Sequence, residues 1–277
     1  MRCETPTMRV AVVGHVEWVE FARVDEVPRP GQIVHAHGTW ETAAGGGAVA
    51  AVQLAKLAGG AVLFTSFGDD ELGRRARAQL TEQGVTVRAM VDPSPQRRAF
   101  CFVDASGERT ITVLGEKLRP SGGDTRLPWH ELAGLDAVYF VSGDAEALRH
   151  ARAARFLVAT ARELATLARA AVPLDVLVGS AADEGERYQA GDLEPPPKLV
   201  VTTSGALGGW AQPGGPFRAA PVPAPVVDTY GSGDSFAAGL TFALARGDER
   251  EEALAFAAKC GAHVLTGHGP YEGQLAL

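Results

Sequence analysis

The stretch richest in chemistry is Val226-Val227-Asp228-Thr229-Tyr230-Gly231-Ser232-Gly233-Asp234-Ser235-Phe236. Gly231 and Gly233 flank the small Ser232, and Asp234 stands just beyond, where a helical pattern begins. Glycines allow successive backbone N–H groups to converge on one point. At a helix N-terminus such a turn makes an anion hole that the helix dipole favours. Asp234 would then sit beside a bound phosphate, placed to take a proton from an attacking hydroxyl. A glycine-rich turn with an Asp at a helix cap explains the same residues without any ligand.

Such a turn needs elements to hold it. Residues 9–14 (RVAVVG) read as a buried strand delivering Gly14 to a site, with His15 directly after it. Gly45-Gly46-Gly47 opens an Ala-rich helical segment over residues 48–58, a second possible cradle or a close helix–strand contact. Further strands are expected at 62–67, 135–142, 174–178 and 199–203, and helices at 70–83, 156–170, 232–246 and 251–265. This alternation implies an α/β chain with a mostly parallel sheet between helices. Residues 17–27, 32–42, 98–103 and 109–113 break it, with polar–apolar alternation and a turn at residues 104–108. They are expected to form a small separate sheet, a lid, from segments near 15–42 and 97–113, within one domain spanning 1–277.

Composition narrows the classes. The 277 residues carry 26 Lys and Arg against 33 Asp and Glu, a net charge of −7. That disfavours a general nucleic-acid or anionic-membrane partner. No apolar run nears the roughly 20 residues of a membrane span. Cys3, Cys101 and Cys260 are widely spaced and match neither a metal nor a disulfide pattern, so a cytoplasmic location is expected. His35 and His37 share a strand face but lack a third ligand.

Residues 228–234 (DTYGSGD) resemble the D-T-x-G-A-G-D signature of the PfkB family, the ribokinase-like sugar and nucleoside kinases, with Ser232 for the usual Ala. Other elements resemble the family in order: Gly14 and the Pro28-Arg29-Pro30-Gly31 turn, the helix start at residues 45–57, residues 68–73 (GDDELG), Gly107-Glu108-Arg109, and the strand and loop at 202–208. The resemblance runs from about residue 9 to 270. It implies a ribokinase-like three-layer α/β/α core with a small β-sheet lid, and ATP-dependent phosphorylation of a hydroxyl on a small carbohydrate-like or nucleoside-like molecule. Asp234 would be the base, and Gly231, Ser232 and Gly233 would supply N–H groups to the phosphoryl group. Thr203, Gly205 and Gly208 would line the nucleotide pocket, with Mg²⁺ arriving on ATP. Asp228, Tyr230 and the loop holding Val264, Gly267 and Gly269 match positions that hold a monovalent cation such as K⁺. Dimers through the lid are a family habit.

The usual sugar-binding half departs from the pattern. Val19 stands where an Asp is usual, and Val49 or Ala50 where an Asn is usual. The acidic N-x-x-E element lacks its Asn, leaving Asp183 or Glu184 as substitutes. Gly14, Glu17, Gly45, Gly46 and Arg98 are the candidate substrate contacts, with Glu20, Trp18 and Trp40 beside them. Lost acceptors point away from free ribose or fructose and toward a nucleobase or a substituted sugar, on which Trp18 or Trp40 would stack. The competing class is a nucleotide-binding regulatory homologue without kinase activity. The retained Asp234 and both glycines favour the enzyme.

Overall fold

The computed structural model describes residues 8–277. Cys3 lies outside the described residues. In chain order the elements are β1 (Val10–Val13), β2 (Glu17–Arg23), β3 (Gly38–Ala44), α1 (Gly46–Ala58), β4 (Ala61–Gly68), α2 (Glu71–Glu82), β5 (Val85–Asp92), β6 (Arg98–Val103) and β7 (Arg109–Leu114). Then come β8 (Ala137–Phe140), α3 (Ala145–Ala151), β9 (Phe156–Thr160), α4 (Leu164–Ala170), β10 (Val176–Ser180), β11 (Leu199–Thr203), β12 (Gly209–Gln212), β13 (Gly215–Phe217), α5 (Ser232–Arg246) and α6 (Arg250–Val264).

The large sheet has nine strands in the order β13-β12-β11-β10-β9-β8-β1-β4-β5, and the strands from β11 to β5 run parallel. Alternation within β1 shows the layering. Val10 and Val12 join one buried cluster with α1, α5 and α6, while Ala11 and Val13 join another with α3 and α4. Strand order reverses at β1, between β4 and β8. In such sheets the crevice outside the carboxyl ends at the reversal is where ligands bind. Here that crevice opens at Gly14 and His15.

The second sheet, β3-β2-β6-β7, is the expected lid. Its inner face carries Val19, Phe21, Ala99 and Cys101, all buried, and β7 is an exposed edge. The second lid segment pairs only from Gly38, not from residue 32, because the chain loops from Arg23 until His37 N donates to Arg23 O.

The expected helix over residues 156–170 is corrected. Residues 156–160 are β9, flanked on both sides by parallel neighbours, and only Leu164–Ala170 is helical. A strand buried on both faces has no alternation to reveal it, and its apolar run merges with the helical period that follows. No helix is long and apolar enough to cross a membrane among the described residues.

Candidate active site

Gly231 is the left-handed cap of α5, at φ +83°, so the turn at Tyr230-Gly231 faces Ser232, Gly233 and Asp234 toward the cleft as the first helical turn. Their N–H groups have no acceptor within the helix. A Cβ on Gly231 would lie 3.0 Å from Val49 Cγ1. Val49 is therefore a packing residue under the turn, fully buried like Ala50, and neither offers a substrate contact. Tyr230 links the two glycine turns, since Gly45 N donates to its hydroxyl at 3.3 Å.

Asp234 lies at the floor of the cleft. A Cβ on Gly46 would stand 2.9 Å from its Oδ1, so Gly46 leaves room for the carboxylate and for whatever it meets. Burial pushes the Asp234 carboxyl up to about 6, opposed by Arg109 and Arg162 and reinforced by Glu186 and Glu17. A base must be ionised to accept a proton. The rate is therefore expected to fall as pH drops through about 6, along a single acidic limb. A kcat/KM profile from pH 5 to 8 checks this, and a flat profile down to pH 5 would remove Asp234 from the role.

The lid turn reaches the same motif. Arg109 Nη1 donates to Thr229 O at 2.9 Å, Thr229 Oγ1 donates to Glu108 Oε1 at 2.8 Å, and Thr229 N donates to Gly107 O at 3.0 Å. Gly107 sits at φ +83°, where a side chain would press on Val227. The lid is thus clamped onto the segment that leads into the anion hole.

Asp228 is fully buried, and its oxygens accept from Tyr230 N at 2.8 Å and Gly269 N at 3.0 Å. No Lys, Arg or His among the described residues forms an ion pair with it, and burial holds its pKa above the usual carboxylate value against the more distant charges of Arg23 and Arg109. A buried carboxylate without a counter-ion fits a nearby monovalent cation. Of the loop residues, Gly269 touches Asp228 directly. The Val264 carbonyl accepts from Gly267 N at 3.4 Å.

Thr203 ends β11, its hydroxyl donating to Gly179 O at 3.3 Å. Ser204 N donates to Gly208 O at 2.7 Å and closes the following loop. A Cβ on Gly208 would lie 2.1 Å from Phe217 O, so this glycine serves the loop's packing against β13. Gly205 faces open space.

Three sequence expectations change. Arg98 lies on the outer face of the lid, paired with Glu20 and across from Trp18, and does not enter the cleft. The cleft receives Arg97 instead, whose Nε stands 3.0 Å from Glu17 Oε1. Inward residues of β6 are Ala99 and Cys101, so a period of two assigns Arg97 to the cleft side. Asp70 caps α2 through Gly73 N and also accepts from Gln96 N at 2.9 Å, and Gln96 Nε2 reaches Val16 O at 2.8 Å. The GDDELG element thereby fixes the turn that delivers Arg97. Second, of the acids at residues 183–186 the one whose charge reaches Asp234 is Glu186, which with Asp183 binds Arg162, whereas Glu184 is 87% exposed. Third, neither Trp is free to stack on a ligand. Trp18 is buried under Arg75, at 4.4 Å, and donates to Glu41 at 2.9 Å. Trp40 stacks on Phe21 at 5.0 Å.

The chain is similar to known proteins. The family model described as pfkB family carbohydrate kinase covers residues 7–142 and 136–276. An ATP-dependent ribose-1-phosphate kinase of Halopiger xanaduensis is 27% identical over 92% of this chain and 91% of its own. A fructokinase of Klebsiella pneumoniae is 29% identical over 83% of this chain and 90% of its own. The crystal structure of a ribokinase from Thermotoga maritima superposes with a TM-score of 0.76 at 22% identity, covering 97% of this chain and 96% of that one.

Proposed function

The chain belongs to the pfkB family of carbohydrate kinases, and from that premise we propose that Asp234 is the base of an ATP-dependent transfer to a hydroxyl of a small carbohydrate-like or nucleoside-like molecule. The observation that carries this is the α5 N-terminus. Free N–H groups and a carboxylate with a raised pKa share one turn, at the carboxyl edge of the sheet.

The substrate hydroxyl approaches Asp234, its oxygen bonds to the γ-phosphorus of ATP, and the bond from that phosphorus to the β-phosphate oxygen breaks. Asp234 takes the hydroxyl proton. The N–H groups at residues 231–233 hold the charge on the transferring oxygens, so catalysis is mostly positioning and electrostatics. Ser232 serves as well as Ala, because the backbone supplies the contact. The 202–208 segment receives the nucleotide.

Asp183 and Glu186 are engaged by Arg162, and no group of three metal-ligating side chains occurs among the described residues. These residues suit Mg²⁺ carried in by the ATP phosphates, which neutralises phosphate charge, better than a protein cage. Cytoplasmic residence fits the use of ATP. The named substrates of the relatives include a phosphorylated sugar and a free one, so the choice between them rests with the pocket.

The kinase reading is tested by ADP release from MgATP in a panel of sugars, sugar phosphates and nucleosides. Release that depends on one of them supports it. Release that none of them stimulates supports the regulatory alternative.

Potassium gives a separate check. If the buried Asp228, which has no direct ion pair, and the loop ending at Gly269 hold a monovalent cation, the rate in K⁺ exceeds the rate in tetramethylammonium severalfold, and Asp228→Asn erases the difference. Equal wild-type rates in both salts would end the cation assignment while leaving the phosphoryl transfer in place.

A further inference from the structure

Phosphoryl transfer uses Asp234, the glycine turn and the lid clamp. It leaves unexplained three cations gathered at the other wall of the same cleft. Arg97 enters from just before β6, and Lys117 and Arg119 from the chain leaving β7. The Arg97 and Lys117 side chains are only 14% and 18% exposed, and Arg119 is about half exposed.

Their counter-charges are too few. Lys117 Nζ, at 3.3 Å, and Arg119 Nη1, at 3.7 Å, share the single carboxylate of Glu163. Arg97 faces Glu17, whose pKa burial raises against the opposing charges of Arg97 and Lys117. The Arg97 Nε–H is buried without a well-directed acceptor, despite the short approach to Glu17. The remaining cation nearby, Arg162, is committed to Asp183 and Glu186.

The three cations act together on their surroundings. Burial first, and then the charges of Lys117, Arg97 and Arg119, keep the His15 imidazole neutral. Burial also lowers the Lys117 pKa, with Arg119 and Arg97 adding to the effect against the pull of Glu163. His15 Nδ1 is buried and has no partner. Like charges crowded at a half-buried wall are unfavourable unless an anion joins them.

Adjacent glycines connect the wall to the base. A Cβ on Gly45 would touch Glu17 Cγ at 3.1 Å, and one on the adjacent Gly46 would touch Asp234 Oδ1 at 2.9 Å. The two glycines form a floor with the cation wall at one end and the base at the other.

We propose that the acceptor is a sugar that already carries a phosphate, and that Arg97, Lys117 and Arg119 bind this phosphate while a free hydroxyl meets Asp234. A phosphate offers three acceptor oxygens to the three cations, and charge-assisted hydrogen bonds of this kind are the strong ones. His15 Nδ1 is free to bond a ring hydroxyl. The inference rests on the kinase reading, and its product is a sugar bisphosphate.

The test compares ADP release with ribose 1-phosphate, ribose 5-phosphate and fructose 6-phosphate against ribose, fructose and adenosine, at saturating MgATP. Calorimetric binding of each compound is measured beside a non-hydrolysable ATP analogue. At least one sugar phosphate exceeds its parent sugar about 100-fold in kcat/KM. Lys117→Gln and Arg119→Gln each raise its KM about 10- to 100-fold, the range for losing a charged hydrogen bond, with kcat and the KM for MgATP little changed. Arg119 is half exposed, so its variant keeps the wild-type melting temperature.

A neutral sugar or nucleoside used as well as the sugar phosphates would overturn the proposal and leave the kinase standing, and so would an unchanged KM in both variants. If no compound releases ADP, calorimetry decides. Sugar-phosphate binding weakened by Arg119→Gln sustains the anion site while the kinase reading falls, and no sugar-phosphate binding overturns the site.

Discussion

Asp234→Asn lowers kcat by about 10²–10⁴-fold, the usual consequence of losing a general base, and leaves the affinity for MgATP unchanged. The side chain keeps its size and its place beside Gly46, so the anion hole survives. Stability moves the other way. Burial raises the folded pKa of Asp234 to about 6, so the folded state holds this proton more tightly than the unfolded chain does. That contribution is present below the ordinary carboxylate value and is lost as pH rises through about 6. A permanently neutral Asn avoids the loss and makes the variant more stable at neutral pH by about 2 kcal/mol. Melting curves of both proteins at neutral and acidic pH check this, since the gap closes in acid. A variant that turns over normally, or melts below the wild type at neutral pH, would contradict the assigned role.

Gly47→Ala is the second large effect. A Cβ there would stand 2.6 Å from His15 O and 2.8 Å from Gly14 C, both backbone atoms that no rotamer change can move. The exit of β1 and the start of α1 must separate. Overpacking of this kind costs about 3 kcal/mol. It also shifts His15 and Gly46 relative to Asp234, so KM for the acceptor rises along with the loss of stability. Gly60→Ala is the control, because nothing lies within 4 Å of the added carbon. Urea unfolding midpoints of the two variants give the comparison. Matching midpoints would show that the β1–α1 contact is looser than described.

Much of the site was legible because its geometry is local. The run from Asp228 to Asp234 specifies a buried acid, a left-handed glycine and a helix start within seven residues. The substrate half was less legible because it depends on strand register across distant segments. Choosing Arg98 over Arg97 is a one-residue error in β6, and such a slip exchanges the two faces of a strand. The loss of acceptors at Val19 and Val49 was visible, and both are indeed buried in packing. The charges that take their place arrive from two separate loops, and no spacing in the chain announces that they meet. The same limit applies to β9, whose strand character comes from neighbours on both sides and not from its own pattern. It applies also to Glu186, whose charge reaches Asp234 through the fold of residues 181–186 and not through a motif.

The most direct measurement of the central claim is phosphorus transfer itself. The protein is incubated with γ-labelled MgATP and the acceptor that stimulates ADP release, and the products are resolved by phosphorus NMR. A new phosphate ester on an acceptor hydroxyl, formed in equal amount to ADP by the wild type and nearly absent with Asp234→Asn, is the predicted result. ADP accompanied only by inorganic phosphate, or an ester formed as fast by the variant, would contradict it.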